Sequence, residues 1–204
     1  LAFIAAYDGP QYDTVIRQFT ATGERELLRC TGIEQCDLAG YDPVHQNLWV
    51  IAQHGEDQLA LQRWQAADAR WQTLHTDPSG IAEVDALLWD VAGKDWLALA
   101  YYPDRRHWYG RTAAIDAQLA ALRRQLPDAN LNLASADNGR LWLVRAQHAT
   151  WGLDRHYLYH PETDRLRPLF GEQSAEQSPP KPEQLVPALP VSWYASDGML
   201  LHGY

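Results

Sequence analysis

The chain has 204 residues, 46% of them hydrophobic and 21% charged, with a formal net charge of −9. That length is enough for one domain or one and a half around a buried core, and the composition is that of an ordinary globular protein. The acidic balance excludes a nucleic-acid binder built on a basic face, and with no run of about 18 apolar residues no membrane-spanning helix is expected.

Nine Trp and ten Tyr stand against three Phe, a mixture that suits half-buried strand surfaces. The opening LAFIAAYDGP is apolar, but it is too short for a signal peptide and lacks the basic start of one. With Leu1 in place of a methionine, a preceding segment is expected. LAFIAAY is the first of four stretches that read alike. The others are LWVIAQH from Leu48, WLALAYY from Trp96 and LWLVRAQ from Leu141, so the starts recur every 45 to 48 residues. Each is a run of β-formers bounded by polar, Gly or Pro residues, the pattern of a strand.

Cys30 and Cys36 come next in the chain. They are too sparse for a disulfide scaffold and lack CxxC spacing, so they read as ordinary, partly buried thiols. A short strand, DLAGY, then leads into YDPVHQN, a turn carrying Asp42. The same order recurs as VDALLW before WDVAGKD, with Asp90, and as LNLAS before ADNGR, with Asp137. The aspartates lie 48 and 47 residues apart. An Asp in such a turn bonds its own downstream backbone, which gives the recurrence a physical reason. After each core strand come further strands, clearest as LALQRWQ with RWQTLHT and RHYLYHP with DRLRPLF. The predicted unit is therefore strand, Asp turn and three more strands, with the first unit lacking its inner strand. Four strands repeated at this period are the mark of a β-propeller blade. A β-sandwich with coincidental spacing is the alternative, and the concordant intervals favour the propeller.

The third unit departs from the pattern. In TAAIDAQLAALRRQLPD, Ile115, Leu119, Leu122 and Leu126 fall on one stripe of a helix, Thr112 can cap its start and Pro127 lies near its end. A helix over about 113–126 is expected to replace or cover the outermost strand of that blade. In the fourth unit His156 and His160 lie i, i+4. On a strand such residues stand about 13 Å apart, so no metal site is expected there. From Gly171 the chain turns rich in Pro, Gln, Glu and Ser, as a linker or extended crossing does. VSWYAS and MLL then read as two strands about Asp197-Gly198, a two-residue hairpin signal.

A Pro-rich crossing followed by VSWYASDGMLLHGY resembles the junction in the prolyl oligopeptidase family of serine peptidases, where a β-propeller leads into an α/β-hydrolase domain. DNGRLWLVRAQHATWGLDRHYLYHPETDRLRPLF is similar to the last blade before that junction. LALAYYPDRRHWYGRTAAIDAQLAALRRQLPD is similar to a blade of the acylaminoacyl-peptidase-like branch. One departure is AQHATWGLD, where relatives usually carry a Pro-Gly turn. The repeat and the resemblance together imply an all-β chain whose residues 1–170 are about four blades of an incomplete propeller ring. The resemblance places a crossing linker at 171–190 and the first hairpin of a truncated hydrolase domain at 191–204.

The family's chemistry needs a Ser on a G-x-S-x-G elbow, followed by Asp and His. This sequence has no such elbow. Its six serines (Ser79, Ser135, Ser174, Ser178, Ser192 and Ser196) fall in turns, strands or the linker, so the chain is expected to carry no catalytic residue and to be inactive alone. The resemblance implies a non-catalytic role in a parent that hydrolyses short peptides, with the hydrolase domain of the same chain as partner and no metal or cofactor. The Glu pair with which aminodipeptidase relatives hold a substrate amine has no match. Arg105, Arg106 and His107, beside Trp108 and Tyr109, are the candidate substrate-binding residues, because Arg offers a rigid donor fork to a peptide carbonyl or carboxylate. The other reading of that cluster is a solvated hairpin loop. The tryptophans read as blade core in preference to a sugar platform. The alternative function is a free-standing binding or interaction propeller, against which the terminal DGMLLHGY argues.

Overall fold

The structure, a computed structural model, describes residues 2–90, 95–137, 139–170 and 182–203. These residues form five antiparallel sheets and one α-helix. They group into two compact units, one running to Val84 and including Asp95, the other from Asp85 onward.

In the first unit β1 (Ala2–Asp8), β2 (Asp13–Thr20) and β3 (Gly23–Cys30) make a three-stranded meander, and β4 (Cys36–Asp42), β5 (Asn47–Ala52), β6 (Ala60–Gln65) and β7 (Arg70–His75) a four-stranded one. Three strands in the first repeat and four in the second are as the sequence predicts. Alternation supplies the core between these two sheets. Leu48, Val50 and Ala52 of β5 point one way and pack with Ile16, Leu28 and Trp64.

Cys30 and Cys36 overturn the expectation of free thiols. They are 3% and 2% exposed and joined as a disulfide, with their Cα atoms 6.1 Å apart. One ends β3 and the other begins β4, so the turn between the two sheets brings them within bridging distance, a proximity that linear spacing does not display.

The second unit holds β8 (Val84–Trp89, its first residue grouping with the first unit), β9 (Trp96–Tyr101) and β10 (His107–Gly110) as one sheet. Then follow α1 (Ala113–Gln125) and the four-stranded sheet of β11 (Asn130–Ala136), β12 (Leu141–Gln147), β13 (Arg155–His160) and β14 (Arg165–Pro168). The helix takes the place of a fourth strand, as expected. Thr112 Oγ1 accepts from Ile115 N at 3.3 Å at its start. The predicted stripe is the buried face, where Leu119, Leu122 and Leu126 pack with Leu131, Trp142, Val144 and Tyr159 and Ile115 lies at the edge. Asp116 Oδ1 accepts from Gly110 N at 2.6 Å. A Cβ on Gly110 would lie 2.6 Å from the Asp116 backbone nitrogen, so only glycine lets α1 come this close to β10. At the far end Gln125 Nε2 donates to Asp164 Oδ1 at 2.7 Å, and Tyr159 Oη to Asp164 Oδ1 at 2.8 Å and to the Gln118 carbonyl at 3.2 Å.

The repeated aspartates all sit at the connection between the first and second strands of a sheet, but their local roles differ. Asp42 ends β4, and its carboxylate accepts from Val44 N at 2.8 Å and from the His45 ring. Asp137 follows β11 at φ +49° and accepts from Arg140 Nη2 at 2.8 Å. Matching registers pair Asp42 with Asn47 but Ala136 with Leu141, which places Asp137 one residue later in its turn.

Of the expected crossing segment, residues 171–181 lie outside those described. Pro182–Gln184 form a 3-10 turn, and 185–190 carry no regular structure. The terminal hairpin of β15 (Val191–Tyr194) and β16 (Leu200–Gly203) forms where predicted, but its loop is longer than the two residues expected. Ala195 N donates to the Met199 carbonyl at 2.8 Å, and Gly198 N to the Ala195 carbonyl at 3.0 Å, with Gly198 at φ +87°. That is a three-residue loop, a tight turn followed by a left-handed glycine. Successive antiparallel meanders of three and four strands are propeller blades in form. The fold is all-β, of the partial β-propeller type, with a single helix among the described residues.

Candidate functional site

The predicted cluster lies in the connection from β9 to β10, and each of its three side chains has an acidic partner. His107 Nε2 donates to Asp104 Oδ1 at 2.8 Å. Partial burial pushes the Asp104 carboxyl up, but the His107 bond and backbone N–H groups outweigh it and leave the group below its ordinary range. Arg105 Nη1 lies 3.2 Å from Asp128 Oδ1, and both side chains are largely exposed.

Arg106 is held far more firmly, its side chain 14% exposed. Its Nε donates to Asp85 and its Nη1 to Asn132, while its guanidinium lies 5.7 Å from the centroid of the Tyr102 ring. Its own N–H donates to Asn130 Oδ1, and its carbonyl accepts from Arg123 Nη2, each at 3.0 Å. Burial pulls the Arg123 guanidinium below its usual range.

The hydrogen bonds continue across the next sheet. Asn132 Nδ2 donates to Gln147 Oε1 at 3.0 Å, Gln147 Nε2 to Asp154 Oδ2 at 3.1 Å, and Arg145 Nε to the same oxygen at 2.6 Å. Asp85 and Asn132 lie near the starts of β8 and β11, and Gln147 ends β12. The network therefore runs along one end of two neighbouring sheets and ties them together. It presents alternating amide, guanidinium and carboxylate groups, a surface suited to a polar, hydrogen-bonding ligand. Arg106 is the inner strut of this surface and Arg105 its exposed cation. Sequence reasoning missed Asp85, Asn130, Asn132, Gln147 and Asp154. The available signal was Asn130-Leu131-Asn132-Leu133, in which two amides share one face of a strand.

In the first unit lies a pocket of about 300 Å³ lined by Ala2, Phe3, Leu38, Ala39, Gly40, Tyr41 and Leu48. The Phe3 and Tyr41 rings meet at 4.7 Å, tilted by 57°. Burial, and then the Asp42 charge, push the Tyr41 phenol above its ordinary range.

The remaining candidates resolve into contacts. His156 packs edge-on to Phe170 at 5.6 Å, and His160 ends β13, exposed. Among the described residues no group of three His, Cys, Asp or Glu is placed to hold a metal ion. Trp49, Trp64, Trp96 and Trp142 are core residues, whereas Trp151 lies between Arg155 and His148 at 4.1 and 5.3 Å. Ser79 Oγ donates to Asp77 and Ser135 Oγ to the Trp89 carbonyl. Ser192 Oγ meets His202 Nδ1 at 2.8 Å across the exposed terminal hairpin. Ser174 and Ser178 lie outside the described residues. Among the described residues no helix is long and apolar enough to cross a membrane.

No protein-family model and no curated protein sequence matches the chain. Among solved structures it is similar to a puromycin-hydrolyzing peptidase of Mycobacterium tuberculosis, with a TM-score of 0.59 and 11% identity over 97% of this chain. The chain spans 30% of that peptidase's length. At this identity the likeness shows the fold alone, an all-β, propeller-like fold that this chain has in common with a portion of a peptidase.

Proposed function

We propose that the chain is the non-catalytic β-propeller portion of a serine peptidase of the prolyl oligopeptidase family, where it restricts substrate access and shapes the cavity for short peptides. The observation that carries this reading is the match of nearly the whole chain to under a third of a peptidase. The terminal hairpin supports it. Val191, Trp193 and Tyr194 are 49%, 48% and 74% exposed, and a neighbouring hydrolase sheet would cover them. In this reading 191–204 belongs to that catalytic domain, 171–190 crosses to it, and the nucleophile, base and oxyanion hole come from the same partner. The Arg105–His107 segment then offers hydrogen-bond donors to a peptide carbonyl or carboxylate, with Arg105 the outermost.

Sequencing the gene beyond the codon for Tyr204 tests the proposal. The expected result is a G-x-S-x-G followed by Asp and His, with a fluorophosphonate labelling that Ser in the full-length protein. A stop codon, or a following domain without that triad, overturns it in favour of a free-standing binding propeller.

A further inference from the structure

We propose that the Cys30–Cys36 disulfide is a redox-sensitive clamp that sets the width of the pocket between β1 and β4. The disulfide crosses the connection between the two sheets that form this pocket, joining the last residue of β3 to the first of β4. The pocket walls belong to the same packed cluster, in which Phe3 of β1 and Tyr41 of β4 lie against the buried residues that include both cysteines. Phe3 and Tyr41 stand toward the other ends of β1 and β4 from the disulfide, so its hold on the start of β4 reaches the pocket walls through this shared cluster.

The loop over the sulfurs makes the bond reachable without unfolding the unit. Thr31 to Gln35 are all exposed, Ile33 to 96%. The loop is held by Thr31 N to Glu34 Oε2 and Gln35 N to Gln53 Oε1, each at 3.0 Å, and by the backbone bonds of Glu34 N to the Thr31 carbonyl at 3.1 Å and Gln53 N to the Gln35 carbonyl at 3.3 Å, all of them at the solvent-exposed surface. Opening such a segment costs far less than global unfolding. A dithiol reductant can then attack. Its thiolate displaces one cysteine sulfur to form a mixed disulfide, and its second thiol resolves that bond. Two electrons and two protons pass to Cys30 and Cys36, and the reductant leaves as its own disulfide. The two thiols formed are small apolar groups compatible with the core they occupy. The reduced protein accordingly stays folded, with β4 freed from β3 and the pocket no longer held at one width.

The test compares hydrogen exchange of the whole chain in an oxidising glutathione buffer and after native treatment with dithiothreitol. The expected result is a gain of two hydrogen masses on reduction. Exchange on the order of tenfold faster follows in residues 28–41 and along β1, with β11–β14 unchanged. A Cys30→Ala/Cys36→Ala variant exchanges like the reduced protein in both buffers. Three results would each overturn the proposal. One is two free thiols in the oxidising buffer, another a bond that reduces only in denaturant, and the third a reduction that leaves exchange unchanged or unfolds the whole chain. Should the double variant fail to fold, the wild-type comparison decides alone.

Discussion

Asp77 shows how one side chain can hold a loop. Its carboxylate, 7% exposed with the rest of the residue, accepts from Ser79 Oγ and from the backbone N–H groups of Ser79, Ile81 and Ala82 at 3.2, 3.0 and 2.9 Å. Burial pushes the group up, but the bonds from Ser79, Ile81 and Ala82 together outweigh it, and its pKa falls below the ordinary value. A carboxylate whose folded pKa is depressed contributes stability above its unfolded pKa of about 4, and that stability is lost as pH falls through the folded value. Asp77→Ala is expected to cost about 1–3 kcal/mol, because it strands buried N–H donors. Asp77→Asn should flatten the fall in urea midpoint below about pH 4, and an unchanged acid limb would refute the assignment. Arg105 is the contrasting case. Its exposed ion pair is worth about 0–1 kcal/mol, so Arg105→Ala should leave the Tm nearly unchanged. Under the proposed peptidase function, the same variant in the full-length protein should raise KM for short peptides about 2- to 10-fold; an unaltered KM would refute the proposed substrate contact of Arg105.

At the scale of elements, α1 is the most testable piece. Leu122, toward its C-terminal end, is fully buried, so Leu122→Ala should cost about 2–5 kcal/mol in chemical denaturation. Gly110→Ala attacks the seating of the helix at its other end, where β10 meets Ile115 and Asp116. The new Cβ meets backbone atoms, which cannot swing aside, and a loss of about 1–3 kcal/mol is expected. The helix was legible in the sequence because its stripe, cap and terminating proline agree. The strands were legible because a 45–48-residue period repeats the same short runs. What stayed hidden depends on the fold bringing distant positions together. Arg106 finds Asp85 and Asn132, 21 and 26 residues away. The cysteines pair because one strand ends where the next begins. The aspartates kept their regular spacing in the sequence while one slipped by a residue in its turn, since linear spacing fixes the connection and not the backbone conformation within it.

For the whole molecule, the terminal hairpin is expected to be the least protected of the described elements. Two strands alone are marginal, and every residue of β15 is exposed. Hydrogen exchange at low concentration should be fast through 191–203 and slow through β12. Equal protection in a monomeric chain would assign the hairpin to the blades. The chain alone should also fail to turn over a p-nitrophenyl ester, and turnover blocked by a fluorophosphonate would disprove that.

The close seating of α1 on β10 has a consequence for solubility. In a sheet ordered β10–β9–β8, β10 is an edge, and an edge strand with unpaired backbone groups is a template on which another chain can add. A helix cannot extend a ladder of strands. By standing where a fourth strand would be, and by taking up Gly110 N through Asp116, α1 blunts that template. The first sign of a loosened helix would then be turbidity that rises with protein concentration, at temperatures where the rest of the fold is still intact.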